Sequence, residues 1–115
     1  MDKKTISKAA FYYTLTLIIL SLVPYPDIGL PKFKLFELDK LIHFSMYTIF
    51  IIIWGLKSDN KTKILIFSIL FGLGLEILQH ILPFGRYFDW GDFIANSSGV
   101  LFGTIILFYL KKKLF

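Results

Sequence analysis

The chain has 115 residues, of which 56% are apolar, and its mean hydropathy is +0.67. This length suits one domain, and the hydropathy excludes an ordinary soluble globular protein. The chain contains no cysteine, which excludes disulfides, thiolate catalysis and cysteine-based metal sites. The net charge is +5, but the lysines flank long apolar stretches, so they predict membrane topology and headgroup contacts rather than nucleic-acid binding.

Four apolar stretches follow one another along the chain, each near the length that crosses a bilayer as a helix. In order they cover residues 9–23, 39–56, 62–82 and 91–110. Pro24 and Pro83 end the first and third stretches. The first stretch follows basic residues, as in a signal peptide, but no small-residue cleavage site comes after it, so we interpret it as a retained helix. Unbroken apolar runs favour helices over barrel strands. The sequence predicts an all-α protein, a four-helix transmembrane bundle forming one domain over residues 1–115.

Lysine and arginine positions predict the orientation of the bundle. With four spans, both termini and the turn after the second helix lie on one side. That side holds Lys3, Lys4, Lys8, Lys57, Lys61, Lys63, Lys111, Lys112 and Lys113, and the other side holds Lys32, Lys34, Lys40 and Arg86. Because positive charge concentrates on the cytoplasmic side, we expect both termini in the cytoplasm and the protein in the cytoplasmic (inner) membrane.

Polar residues gather at the helix ends that face the opposite, outer side. They are Asp39, Lys40 and His43 at the start of the second helix, Glu76, Gln79 and His80 near the end of the third, and Arg86, Asp89, Asp92 and Asn96 around the start of the fourth. Spacings of three and four place residues of each group on one helical face: Asp39 with His43, Glu76 with Gln79 and His80, and Asp92 with Asn96. We therefore expect an outward polar pocket. A carboxylate at membrane depth is costly unless it is paired, and the expected partners of Glu76 are Lys40, Arg86 or a protonated His43.

A stripe of small and polar residues runs along the fourth helix through Asp92, Asn96, Gly99 and Gly103. The two glycines form a G-x-x-x-G pair, which permits close helix packing. We expect them to pack against a neighbouring helix, with Gly72 and Gly74 as one candidate surface, or against a second copy in a homodimer. Tyr47 and Trp90 are interpreted as interfacial aromatic residues.

The ordered motifs resemble those of the VanZ-like family of bacterial membrane proteins. They are Asp39-Lys40-x-x-His43-Phe44-x-x-Tyr47, Glu76-x-x-Gln79, and Pro83-x-x-Arg86-x-x-Asp89-x-x-Asp92-x-x-x-Asn96-x-x-Gly99-x-x-x-Gly103. The resemblance extends from about residue 21 to residue 103. It implies a cell-envelope role, and the founding member's association with low-level teicoplanin resistance makes glycopeptide resistance an expectation for this chain.

Three functional hypotheses remain open from the residues themselves. The first is binding of membrane lipids or a lipid-linked cell-wall intermediate through an anionic headgroup, with these ligand-binding candidates: Asp39, Lys40, His43, Glu76, Gln79, Arg86, Asp89, Asp92 and Asn96. The second is a membrane enzyme with Glu76 as general base and His43 or His80 as acid. The third is an oligomeric transporter or flippase.

Other interpretations of the same residues are weaker. His43, His80, Glu76 and Asp92 form a conceivable zinc or manganese set, but we assign no metal and no cofactor. For Asp39, Lys40, Arg86 and Asp92, the simplest alternative is interfacial anchoring and salt bridging between helices.

Overall fold

The computed structural model describes residues 2–23, 32–82 and 88–114, with the backbone alone for 32–36 and 114. These residues form four helices, α1 (Lys3–Leu22), α2 (Lys32–Lys57), α3 (Lys61–Ile81) and α4 (Trp90–Leu114), and no strand. All four helices are long and apolar enough to cross a membrane. The prediction of an all-α, four-helix membrane bundle is confirmed.

The helices extend beyond the apolar stretches because local capping and backbone hydrogen bonding continue into the polar flanks. α1 begins at Lys3, six residues before its apolar stretch, where the Asp2 carboxylate accepts a hydrogen bond from the Thr5 N–H at 2.7 Å. Asn60 caps α3 in the same way, accepting from the Lys63 N–H at 3.0 Å. The other two helices also exceed the expected spans, α2 by starting at residue 32 and α4 by continuing to residue 114.

α2 and α4 make the most extensive contact in the bundle, and two glycines bring their backbones together. A Cβ atom added at Gly99 would collide with the Phe44 carbonyl oxygen, and one added at Gly103 would lie 2.7 Å from the Thr48 carbonyl oxygen. The Thr48 hydroxyl lies 3.1 Å from the Gly99 carbonyl oxygen, across the same contact. Thus the glycine stripe faces α2 of the same chain, and its close packing gives no support to a homodimer.

Of the two α3 glycines suggested as the opposing surface, Gly72 does face Asn96 of the α4 stripe, as well as Tyr47. The suggestion is wrong for Gly74, where an added Cβ atom would have no described atom within 4 Å, and for the two α4 glycines, which meet α2. The spacing along α4 is sufficient to identify a close-packing stripe, but not to choose the helix that it meets.

Among the described residues, six buried apolar side chains pack into one core cluster: Leu17, Tyr47, Phe50, Ile51, Leu75 and Val100. The interfacial interpretation of Tyr47 is wrong, because this side chain is 1% exposed and packs beside Phe50 and Phe71. Trp90, by contrast, is largely exposed and packs edge-on against Phe88. Many large apolar side chains on the outside of all four helices are exposed, as expected for a surface that meets lipid tails rather than water.

Polar bonds fasten α1 to the rest of the bundle. The Tyr13 hydroxyl donates to the Met46 carbonyl oxygen at 2.5 Å, and the Trp54 indole N–H donates to the Thr14 hydroxyl at 2.8 Å. Satisfied polar groups of this kind are needed where no water is available. They hold α1 against α2 within the bundle.

Candidate functional site

Seven of the polar residues expected at the outer face come together at one end of the bundle. This charged cluster consists of Asp39, Lys40 and His43 of α2, Glu76 of α3, Asp89 just before α4, and Asp92 and Asn96 of α4. α2 and α4 begin at this end and α3 finishes there, because successive helices run in opposite directions. Most of the cluster is sealed from solvent: His43, Glu76, Asp92 and Asn96 are each at most 4% exposed.

Lys40 is engaged by three carboxylates. Its ammonium nitrogen lies 2.5 Å from Asp92 Oδ1, 2.7 Å from Asp89 Oδ2 and 3.4 Å from Asp39 Oδ2. An ammonium has three hydrogens to donate, so the three oxygens match its capacity. A Cβ at Gly91 would lie 2.8 Å from Lys40 Cε, which shows that this glycine makes room for the lysine side chain.

His43 has an oxygen atom near each ring nitrogen. Nε2 lies 3.2 Å from Asp39 Oδ1 and 3.7 Å from Asp92 Oδ2. Nδ1 lies 2.9 Å from Asn96 Oδ1 and 3.8 Å from Glu76 Oε1. Of the sequence-based partners for Glu76 that the structure describes, His43 lies beside it, whereas Lys40 binds the aspartates.

The amide orientation of Asn96 determines which ring nitrogen donates. Asn96 Nδ2 donates toward Glu76 Oε1 at 3.5 Å, so Asn96 Oδ1 faces His43 and accepts from Nδ1–H. The Asp39 carboxylate oxygen beside Nε2 is also an acceptor. Both ring nitrogens of His43 therefore face oxygen acceptors, and the ring is positioned to donate a hydrogen bond from either one.

Asp89 is the partly exposed member of the charged cluster and lies outside the membrane-spanning segments. Partial burial acts to raise its pKa, but hydrogen bonds from Lys40 and the Gly91 N–H outweigh burial and lower the pKa below its ordinary value. Asp89 is consequently ionised and holds Lys40 from the exposed side. Its side chain is 40% exposed, against 5% for Asp92, so it is the part of the cluster that a molecule arriving from the membrane surface reaches first.

Three further candidate residues are not placed in the charged cluster. Gln79 is buried and donates through Nε2 to the Ser21 carbonyl oxygen, joining α3 to α1. His80 is exposed, and its Nδ1 accepts a hydrogen bond from the Phe88 N–H at 3.5 Å. His80 thus lies on the exposed side of α3, whereas Glu76, its proposed acid–base and metal partner on the same helix, is buried. Arg86 lies outside the described residues.

The four residues considered as a conceivable metal set are not the group that the described structure brings together. Asp39, His43 and Asp92 each offer one ligand atom, and these atoms all lie within 4.8 Å of one another. His80 is absent from this group because it points away from the bundle interior, as its exposure shows. The sequence pattern identifies Asp39 as a polar residue of the pocket, but not as a possible metal ligand.

Gly91 and Thr48 are structural contributors that the sequence-based candidates do not include. Gly91 makes space for Lys40, and the Thr48 hydroxyl lies near the Phe44 and Gly99 carbonyl oxygens on the α2–α4 contact. In the sequence, the position of Gly91 between Asp89 and Asp92 is the signal that could have identified it. Thr48 gives no comparable signal, because a threonine at that position is equally compatible with a lipid-facing or a helix-facing side chain.

Comparison with known proteins gives a family and no individual relative. A family model described as VanZ/LLP1 matches residues 3–111, nearly the whole chain. No curated protein matches, and no solved structure matches.

Proposed function

Since this chain belongs to the VanZ/LLP1 family, we propose that it works in the bacterial cell envelope and that the charged cluster is its working site. In this proposal the protein lies in the cytoplasmic membrane with both termini in the cytoplasm. Lys57, Lys61 and Lys111 support that orientation, because they lie at the end of the bundle opposite the charged cluster. The cluster then opens toward the outer surface.

His43 carries the functional argument. It is 2% exposed, and oxygen acceptors face both of its ring nitrogens. A buried, oriented imidazolium is suited to donating a proton, and Asp39 and Asn96 hold its ring in one orientation. Ionisable groups within a membrane are expensive to maintain and commonly mark a functional site. We therefore assign His43 the role of proton donor, with Glu76 as the nearby carboxylate, 3.8 Å from its Nδ1.

The substrate class follows from where the charged cluster opens. Asp89 and Lys40 form its more accessible edge, at the level where helix ends meet lipid headgroups. A polar headgroup of a membrane lipid or of a lipid-linked cell-wall intermediate is the kind of molecule that reaches this edge from within the bilayer. A headgroup oxygen that displaced the Asp39 carboxylate from His43 Nε2 would accept the proton and leave a neutral imidazole, in a membrane enzyme or in a binding protein that needs a neutral ligand.

Anionic headgroup binding is a second candidate, supported by the Lys40–Asp89 pair. Asp89 is more exposed than either of the other carboxylates that contact Lys40. A phosphate or carboxylate from a headgroup can take the place of Asp89 on the ammonium, as a point-charge contact. The Asp89→Asn variant should then retain more anionic lipid than the wild type in native mass spectrometry of nanodisc-derived protein. Equal or lower retention counts against this binding mode.

The two histidines of the chain provide a matched test of the envelope role. Wild type, His43→Gln and His80→Gln are expressed in a susceptible Gram-positive host, with membrane levels equalised by blot. We expect wild type and His80→Gln to raise the teicoplanin threshold, with vancomycin measured in parallel, and His43→Gln to leave it unchanged.

Each alternative result of that test has a definite meaning. If all three proteins raise the threshold equally, His43 is dispensable and the working-site proposal is wrong. If none does so although each is inserted, the resistance role does not apply to this chain. Loss of the effect in both histidine variants would indicate a general sensitivity of the fold rather than a function of the charged cluster.

A further inference from the structure

In the charged cluster, Asp39 and Asp92 each direct one carboxylate oxygen toward Lys40 and the other toward His43. Asp39 Oδ2 and Asp92 Oδ1 face the Lys40 ammonium, at 3.4 Å and 2.5 Å. Asp39 Oδ1 and Asp92 Oδ2 face His43 Nε2, at 3.2 Å and 3.7 Å. The aspartates therefore bridge two cation positions. Lys40 fills the first, and the second lies among the two remaining carboxylate oxygens and Nε2.

We propose that this second position binds one divalent transition-metal ion through Asp39, His43 and Asp92. The three ligand atoms lie within 4.8 Å of one another. Two ligands on a zinc ion, each at about 2.0–2.2 Å, are themselves about 3.0–3.6 Å apart. The distances of 3.2 Å and 3.7 Å from Nε2 are close to that range.

The opposite side of the His43 ring supports the same assignment independently of the aspartates. Nδ1 lies 2.9 Å from Asn96 Oδ1, and the Asn96 amide is directed toward Glu76. Metal-binding histidines characteristically donate their other ring N–H to an oxygen acceptor, which fixes the tautomer and the ring orientation. Here that bond presents Nε2 to the two carboxylates. The position holds a proton when His43 is an imidazolium, and the metal ion replaces that proton.

The backbone around the site is arranged to keep the ligands in place. Asp39 and His43 are four residues apart on α2, and Asp92 comes from α4. These helices touch through Gly99, where no side chain separates them. Rigid placement of this kind favours metal binding without a folding cost.

The donor set indicates which ions to test. One imidazole and two carboxylates suit zinc or manganese, and three protein ligands leave a coordination position for another molecule. The ion also adds positive charge beside the four carboxylates of the charged cluster, where Lys40 is already shared among three of them. This site goes beyond the proposed function and describes a second state of His43, because a metal ion on Nε2 takes the place of the proton that His43 would donate.

Metal retention by the full-length protein tests the proposal. Wild type in detergent micelles is stripped with a chelator, desalted, incubated with Zn²⁺ or Mn²⁺, and passed through gel filtration before elemental analysis. We expect about one ion per chain. His43→Gln and Asp92→Asn should retain about tenfold less or lower still, and His80→Gln should match the wild type because that histidine lies outside the site.

A spectroscopic measurement on the wild type keeps the test independent of variant folding. Electron spin-echo modulation of bound Mn²⁺ should show one imidazole nitrogen, and the signal should persist in His80→Gln. The proposal is overturned if wild type retains less than about a tenth of an ion per chain with both metals. It is also overturned if no nitrogen signal appears, or if His43→Gln retains as much metal as the wild type.

The result of the metal-retention test can be distinguished from the result of the antibiotic test. Stoichiometric metal on His43 without any resistance effect supports the metal site and removes the resistance role. A resistance effect that depends on His43 in a protein that retains no metal supports the working site and removes the metal.

Discussion

A single methyl group at Gly99 should weaken the bundle more than the same group at Gly74. Both glycines lie inside helices, so replacement by alanine gains about 0.5–1 kcal/mol of helix propensity at either position. At Gly74 the new Cβ meets nothing within 4 Å, whereas at Gly99 it collides with the Phe44 carbonyl oxygen and lies 3.1 Å from the Phe44 carbonyl carbon. Backbone atoms cannot rotate away as a side chain can, so α2 and α4 must separate.

The magnitude follows from opposing contributions at Gly99. Overpacking of this kind costs about 1–3 kcal/mol, and separation also weakens the contact from Thr48 to the Gly99 carbonyl oxygen, at about 0.6 kcal/mol for a membrane hydrogen bond. After the gain in helix propensity, we expect Gly99→Ala to lower the free energy of unfolding by about 1–3 kcal/mol. Gly74→Ala should leave the free energy of unfolding unchanged or raise it slightly.

Reversible unfolding in mixed detergent and SDS micelles measures both variants against the wild type. Metal retention and teicoplanin threshold should also fall in Gly99→Ala, because the same separation draws Asp92 away from His43. Equal free energies of unfolding for Gly99→Ala and Gly74→Ala would refute the reasoning, since they would show that α2 and α4 do not touch at Gly99.

Three other predictions concern single polar contacts. Asp92→Ala should lower the free energy of unfolding by about 3 kcal/mol, because it removes a buried partner of Lys40; Asp59→Ala, at an exposed position, should have little effect in the same SDS titration. The pKa of Asp89 is lower in the folded protein than its ordinary value of 3.8. Pairing with Lys40 therefore stabilises the protein fully at pH values above 3.8, and this stabilisation is lost as the pH falls through the lower folded-state pKa. The difference in melting temperature between wild type and Asp89→Asn should therefore shrink on acidification below 3.8; a constant difference would contradict the assigned pairing. Gln79→Leu should cost about 0.6–1.7 kcal/mol of unfolding free energy, because α1 loses its hydrogen bond from α3, and an unchanged unfolding curve would show that this bond contributes nothing.

Hydrophobic patterning along the chain is enough to determine the architecture. Long apolar stretches have few alternatives in a bilayer, because every backbone polar group there must be satisfied within a helix or a closed barrel. Alternating helix direction then requires the start of α2, the end of α3 and the start of α4 to share one face. The gathering of His43, Glu76 and Asp92 at one end follows from that alternation alone.

The spacing of residues along the sequence does not determine which side chains of the charged cluster pair with one another. A three- or four-residue interval places side chains on one face of a helix, but it does not give the rotation of that helix about its axis or the helix it meets. Lys40 is an expected partner of Glu76, yet it binds Asp39, Asp89 and Asp92. His80 shares a stripe with Glu76 in sequence but lies on the exposed side of α3.

The four-helix membrane bundle with its polar residues collected at one end follows from the amino-acid sequence, because bilayer thickness and backbone hydrogen bonding leave little choice. The contact of the α4 glycines with α2, and with it the distances among Asp39, His43 and Asp92, is visible only in the folded bundle. Contact between two backbones depends on the shapes of both helices at once, and no pattern along one helix contains that information.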